Sequence, residues 1–222
     1  YIPPEVRILK SAKIQAFNVP IVAPPPDGFR GGVVLGESRG DRRLRHSRYG
    51  EAVDSFAPEI KHYEKISGEY TYFGPLYNHF GHTMAEFVHR AIPSIILGAP
   101  RKFLFVAALG SYDLSYETLP LFVQQILQFL EIRKNDVLII SRHSEIESLF
   151  VCEQGSDFGG GPKDGYLNFL DAFTGQRLDQ IFGSPEVSVR TYVSRTNICH
   201  GGNFLGERYI EKQLLEEGYT IM

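Results

Sequence analysis

Short apolar runs and amphipathic stretches alternate through the middle of the chain. Glu69-Tyr-Thr-Tyr-Phe73 is apolar and aromatic, and Lys102-Phe-Leu-Phe-Val-Ala107 is almost uninterrupted in its apolarity. Asp136-Val-Leu-Ile-Ile140 and Ile146-Glu-Ser-Leu-Phe-Val-Cys152 complete the set. Runs of this length, bounded by Gly, Pro or charge, predict strands, and the continuous ones predict strands buried on both faces. Between them, apolar residues recur at spacings of three and four. Met84, Phe87, Val88, Ala91 and Ile95 predict a helix over 81–97, with Pro93 kinking or ending it near Ile92. Leu121, Phe122, Ile126, Leu127, Phe129 and Leu130 predict a second helix over 119–130, with Pro120 in its first turn. The order β-α-β-α-β-β over 69–152 predicts a parallel sheet covered by helices.

The flanks are less regular. Residues 1–30 are Pro-rich, and their short apolar runs, Val6–Leu9 and Ile14–Phe17, read as edge strands or extended packing segments. Gly32–Gly36 reads as a short strand. Residues 37–50 carry five arginines and one histidine, either a solvated loop or a surface for an anionic ligand. The glycine-rich segment 154–165 has neither P-loop nor dinucleotide-binding spacing, and reads as a lid or substrate loop. A helix follows over 166–182, interrupted at Gly175. After the break Gly183-Ser-Pro185, Val187–Val193 is a strand, Glu207–Gly218 an amphipathic helix, and Tyr219–Met222 the start of another strand. This divides the chain into residues 1–185 and 186–222.

Composition narrows the classes. Hydrophobic residues are 43% and charged residues 22%, an ordinary globular balance, and the net charge of −3 gives nucleic acid no electrostatic footprint. No run of about 18 apolar residues predicts a transmembrane segment, and no basic stretch followed by an apolar one opens the chain. Cys152 and Cys199 are the two cysteines, without CxxC spacing, and read as thiols. The abrupt ending at Met222 suggests a fragment.

The chemistry concentrates in 78–90, where Asn78, His79, His82, Glu86, His89 and Arg90 follow the 69–73 strand. On a helix, His82 and Glu86 fall one turn apart. They form either an acid/base pair or a helix cap with a surface Glu86–Arg90 ion pair. His79, His82 and Glu86 superficially offer metal ligands, but not at the H-E-x-x-H spacing. A second group, Ser194, Arg195, Asn197 and Glu207, lies at a strand end before a helix, where guanidinium and backbone N–H donors suit a diphosphate; an Arg in a structural ion pair is the alternative.

Phe73-Gly-Pro-Leu-Tyr-Asn-His-Phe-Gly-His-Thr-Met-Ala-Glu86 resembles the N-terminal motif of glycosyltransferase family 61, in its bacterial capsular polysaccharide branch. Thr191-Tyr-Val-Ser-Arg-Thr, Gly206-Glu207-Arg-Tyr-Ile-Glu211 and Glu217-Gly-Tyr-Thr-Ile-Met222 resemble that family's second block, and Glu153-Gln-Gly-Ser-Asp lies between. The resemblance spans roughly residues 30–222. It implies an α/β fold: a Rossmann-like parallel sheet with flanking helices, the N-terminal half of a GT-B-like fold, with 186–222 the start of the nucleotide-sugar-binding domain. It implies inverting, metal-independent transfer of a sugar from a nucleotide-sugar donor to a glycan acceptor, with no cofactor. His82 or Glu86 would be the base. Asn78, His79, Arg90, Arg195, Asn197 and Glu207 would bind substrate, with Arg195 and Asn197 at the diphosphate. The expected setting is cytoplasmic, peripheral to membrane assembly machinery. The competing readings are a non-catalytic truncated relative that binds glycan or protein, and a metal-dependent hydrolase.

Overall fold

A mixed, curled six-stranded sheet with helices against it forms the larger part of the chain. The computed structural model describes residues 6–17, 29, 31–34, 47–48, 51–52, 57–76, 79–107, 115–157, 161–183, 190–194, 196 and 206–222. Its elements are, in order, β1 (Arg7–Gln15), β2 (Gly32–Val33), β3 (Ser47–Arg48), β4 (Glu51–Ala52), β5 (Glu64–Leu76), α1 (Phe80–His82), a π-helical turn (Thr83–Phe87) and α2 (Val88–Ile96). They continue with β6 (Phe103–Ala107), α3 (Leu121–Phe129), β7 (Val137–Ile140), β8 (Ser144–Val151), β9 (Ser156–Asp157), β10 (Gly161–Pro162), α4 (Tyr166–Phe182), β11 (Thr191–Tyr192), α5 (Glu207–Glu216) and β12 (Thr220–Ile221). They group into two compact units, Tyr1–Phe173 and Thr174–Met222; the boundary in sequence falls at residues of α4, before the Gly183–Pro185 break seen in the sequence.

In the first unit the strand order is β2-β1-β8-β5-β6-β7. Strands β8, β5, β6 and β7 are mutually parallel, as expected, but β1 runs antiparallel to both β8 and β2. The sheet is therefore mixed rather than parallel. The leading segment is a nine-residue strand that pairs with β8 from Arg7↔Val151 to Ile14↔Ser144, not a set of short edge pieces. The prolines that argued against it lie outside this strand, so they remove none of its ladder bonds.

The β7–β8 connection forces the curl. Residues 141–143 join Ile140 to Ser144, a span of at most roughly 14 Å. Ile140 is level with Pro75 of β5, by way of Val106, whereas Ser144 is level with Glu64. A flat sheet would separate them by more than twice that reach, at about 3.3 Å per residue along the strand. Strand β5 turns instead, with register shifts between Ile66 and Glu69 and between Tyr72 and Gly74.

Strand β6 shows why its sequence is apolar throughout. Phe103 and Phe105 join Phe73, Phe87, Val88, Ala91, Ile92, Val123 and Leu127 in one core under the helices. Leu104 and Val106 join Tyr72, Ile14, Val33, Ile146 and Leu149 in a second core on the opposite face. Alternation puts successive residues on opposite faces, so both faces need apolar side chains. Burying one such side chain stabilises by roughly 1.5–3 kcal/mol.

Two helices continue where the sequence predicted interruption. Residues 80–96 are helical throughout, across Pro93. Proline lacks the N–H that His89 O would accept, and Gly155 N donates to that carbonyl instead, at 2.9 Å. Helix α4 runs past Gly175 over its 17 residues; a single glycine costs only about 1 kcal/mol. Met84 and Leu121, read as inward-facing, are 38% and 70% exposed.

In the second unit, parallel β11 and β12 flank α5 in sequence, a β-α-β arrangement with Thr191↔Thr220 and Tyr192↔Ile221 in register. Helix α5 stops as expected at Gly218, whose φ is 85°. Tyr219 N donates to Leu214 O and Gly218 N to Leu215 O, the paired closure of a Schellman motif.

Candidate functional site

The helix after β5 is positioned by a joint at the strand's end. Gly74 has φ 92°, beside the register shift in β5. A Cβ there would overlap Nη1 of Arg90, so glycine is required both for conformation and for space. The Arg90 side chain is 2% exposed and its guanidinium lies 5.4 Å from the Tyr72 ring centroid. Nη2 donates to Gln154 Oε1 at 2.6 Å.

About three turns before Arg90, the helix start is capped by His79 rather than His82: His79 Nδ1 accepts from His82 N at 3.3 Å. Thr83 reinforces the start, with both its N–H and its hydroxyl donating to His79 O. The π-helical turn follows, with Val88 N–H reaching back to Thr83 O. Such a turn adds one residue to the helical repeat and is frequent at functional sites. Here it carries Glu86 inward.

His82 Nδ1 and Glu86 Oε1 are 2.8 Å apart, with side chains 16% and 6% exposed. The His79 ring lies edge-on at 4.9 Å from that of His82. The carboxylate is thus the deeper member, and the imidazole is nearer to solvent. A carboxylate on Nδ1 fixes the tautomer and the ring plane, and leaves proton exchange to Nε2. Phe80, 60% exposed and two residues before His82, meets Phe122 of α3 edge-on.

A second cluster, built around the buried Tyr166 and Gln154, adjoins the helix. His89 Nδ1 and Tyr166 Oη are 3.0 Å apart, and Tyr166 is completely buried. Burial pushes the His89 imidazole below its ordinary value. Gln154 Nε2 donates to Ser156 O, and Lys163 Nζ donates to Gln154 O at 2.6 Å and pairs with Glu153 at 2.7 Å. A Cβ on Gly155 would overlap the Tyr166 ring. The described parts of the glycine-rich segment are therefore anchored to the helix, through a short β9–β10 hairpin, rather than standing off as a lid. Nearby, burial raises the Cys152 thiol to about 11, against the lowering effects of a Ser94 hydrogen bond and the Arg90 charge.

Of the residues singled out in the sequence, the fold brings His79, His82 and Glu86 together. Arg90, read as a substrate contact, is an internal strut. His89 turns to Tyr166 instead of joining the His82–Glu86 pair. Asn78, Arg195 and Asn197 lie outside the described residues, as do Cys199 and nearly all of the arginine-rich loop. In the second unit Glu207 is 6% exposed and accepts from Tyr192 Oη at 2.8 Å, an internal contact. Glu211 accepts from the hydroxyls of Ser194 and Thr196, which hold its carboxyl below the usual range. Gln154, Lys163 and Tyr166 escaped the sequence reading. Their only signal was their position around a glycine-rich segment.

Among the described residues no three His, Cys, Asp or Glu side chains converge as a metal site, and no helix is long and apolar enough to cross a membrane. Comparison with protein-family models, curated proteins and solved structures gave no significant match.

Proposed function

We propose that this chain carries the acceptor side of an inverting glycosyltransferase, of the kind that family 61 members resemble, moving a sugar from a nucleotide-sugar donor to a glycan acceptor. The first unit would be the N-terminal, Rossmann-like half of a GT-B-like enzyme, and the second unit the beginning of the donor half. One observation carries this reading: the His82–Glu86 pair at 2.8 Å, where α1 passes into the π-helical turn that follows a central parallel strand in sequence. Ligands of open α/β sheets gather at this end of such strands.

In this reading His82 takes the proton of the acceptor hydroxyl through Nε2 as that oxygen attacks the anomeric carbon. Glu86 stabilises the imidazolium that forms, and the glycosidic bond to the departing diphosphate breaks as the new one forms. Arg195 and Asn197 are the candidates for stabilising the leaving diphosphate, as the resemblance implies. The expected setting is capsule or surface polysaccharide assembly at the cytoplasmic side of a membrane.

A non-catalytic glycan- or protein-binding relative is the second reading. It is favoured by the internal engagement of Arg90 and Glu207, two groups that a substrate would otherwise occupy.

The deciding experiment screens the full-length protein with UDP-, GDP- and CMP-sugars, reading donor binding by calorimetry and transfer by nucleotide release. Turnover with one donor, lost by about 10²-fold or more in Glu86→Gln and His82→Ala variants that keep their circular dichroism, supports transfer. Silence across the donor panel sinks it and leaves the binding reading.

A further inference from the structure

A groove of about 850 Å³ lies along the outer side of α3, lined by Arg101, Tyr116, Gln125, Gln128, Glu131 and Arg133. Its volume falls in the range of small-molecule sites, but its chemistry is unlike an apolar pocket. Gln125 and Gln128 bring two exposed carboxamides to one helix flank, and Gln124 lines it too while its Nε2 donates to Leu119 O at 2.8 Å. Two guanidinium groups, Arg101 and Arg133, are matched by two carboxylates, Glu131 and Asp136. Beside them Glu117 and Lys134 pair with each other. The groove is thus densely polar yet balanced in charge, which suits neither a phosphate nor a metal cation.

Glu131 fixes one end of the groove. It closes α3, with Glu131 N donating to Gln128 O at 3.0 Å and Ile132 N to Leu127 O at 2.8 Å. This is the Schellman position that glycine normally fills, and Glu131 occupies it with φ 58°. A left-handed backbone at a residue with a Cβ costs on the order of 1 kcal/mol. The carbonyl of Glu131 also accepts from Arg101 Nη2 at 2.7 Å, tying the two sides of the groove. The Glu131 side chain lines the groove from this turn.

The geometry points to a binding site for a neutral oligosaccharide in this groove. Planar amides, guanidinium groups and carboxylates present paired donors and acceptors that match vicinal sugar hydroxyls. The half-buried Tyr116 ring and the exposed Leu121 supply the apolar contacts that a sugar's C–H face needs. Helix α3 also touches the start of the helix bearing His82 and Glu86, through Phe122 and Phe80. The site holds glycan whether or not the chain transfers sugar.

The test is a titration of the full-length, isotope-labelled protein, without nucleotide sugar, followed by the side-chain amide signals of Gln124, Gln125 and Gln128. The probes are cellopentaose, maltopentaose, xylopentaose and chitopentaose, with inorganic phosphate as a separate arm. At least one pentasaccharide is expected to shift these signals saturably. Gln125→Ala combined with Gln128→Ala should weaken that binding about tenfold or more. Glu131→Gly should weaken it too while raising Tm by about 2 °C, because strain is relieved as the ligand group is lost. Three results overturn the proposal: no shift with any of the four sugars, binding undiminished in the double variant, or phosphate alone moving these signals.

Discussion

Gly74 and Arg90 form one joint: the space that a Cβ on Gly74 would take is filled by the Arg90 guanidinium. The strand end and the helix that bears His82 and Glu86 are held together there, and the same guanidinium reaches Gln154. Gly74→Ala meets both the overlap and a positive φ, and is expected to destabilise by about 2–4 kcal/mol in urea denaturation. An unchanged midpoint would show that the guanidinium can move aside at no cost.

Removing Arg90 tests the joint from the other side. Arg90→Ala deletes a charge-assisted hydrogen bond and leaves a cavity over Tyr72. A loss of about 3 kcal/mol is expected by the same measurement. If Arg90 served only as a surface ligand contact, stability would hold and only donor or acceptor affinity would fall.

Gly155→Ala should be as severe as any core substitution, because the Tyr166 ring occupies the new methyl's position. A loss of at least about 2 kcal/mol is expected, together with faster hydrogen exchange at residues 155–157 as the segment leaves the helix. Gly175→Ala is the contrasting case. Nothing lies within 4 Å of the added Cβ, and the position is helical, so it should stabilise slightly, by about 0.5–1 kcal/mol.

The pH dependence follows from His89. Its folded value lies below its ordinary one, so the unfolded chain binds the proton more readily. Stability from this group is present above about pH 6.5 and is lost as pH falls through the folded value. Denaturation midpoints measured from pH 7.5 downward should fall. The acid slope should flatten in His89→Gln, whereas an unaltered slope would assign the acid sensitivity to other groups.

Cys152 acts in the alkaline direction. Its thiol is raised to about 11, so its contribution is present below its ordinary value of 9 and is lost as pH rises through 9 to 11. At pH 8 alkylation mapped to Cys152 by mass spectrometry should be slow in the folded protein and rapid in denaturant. Equal rates in both states would place that thiol at solvent.

Much of the frame was legible because its causes are local. The continuous run Phe103–Ala107 announced a strand with two buried faces, and the spacing around Leu127 announced α3. Gly218 announced the end of α5. The errors came where a distant partner decided the outcome. Pro93 reads as a kink or an end until Gly155 takes the carbonyl that proline leaves unused, and the helix continues to Ile96. Likewise, nothing within Arg7–Gln15 says that it will pair antiparallel with β8, since strand direction is set by a partner far along the chain.

The same division runs through the candidate site. The sequence by itself determined that His82 and Glu86 would fall one turn apart on one helix, because spacing along a helix is fixed by its repeat. Only the tertiary structure decided their roles. The π-helical turn and the surrounding core made Glu86 the buried partner of His82, and packing against Tyr72, Gly74 and Gln154 turned Arg90 from a surface group into a strut. Burial and partnership depend on residues far apart in the chain, and local periodicity carries no information about them.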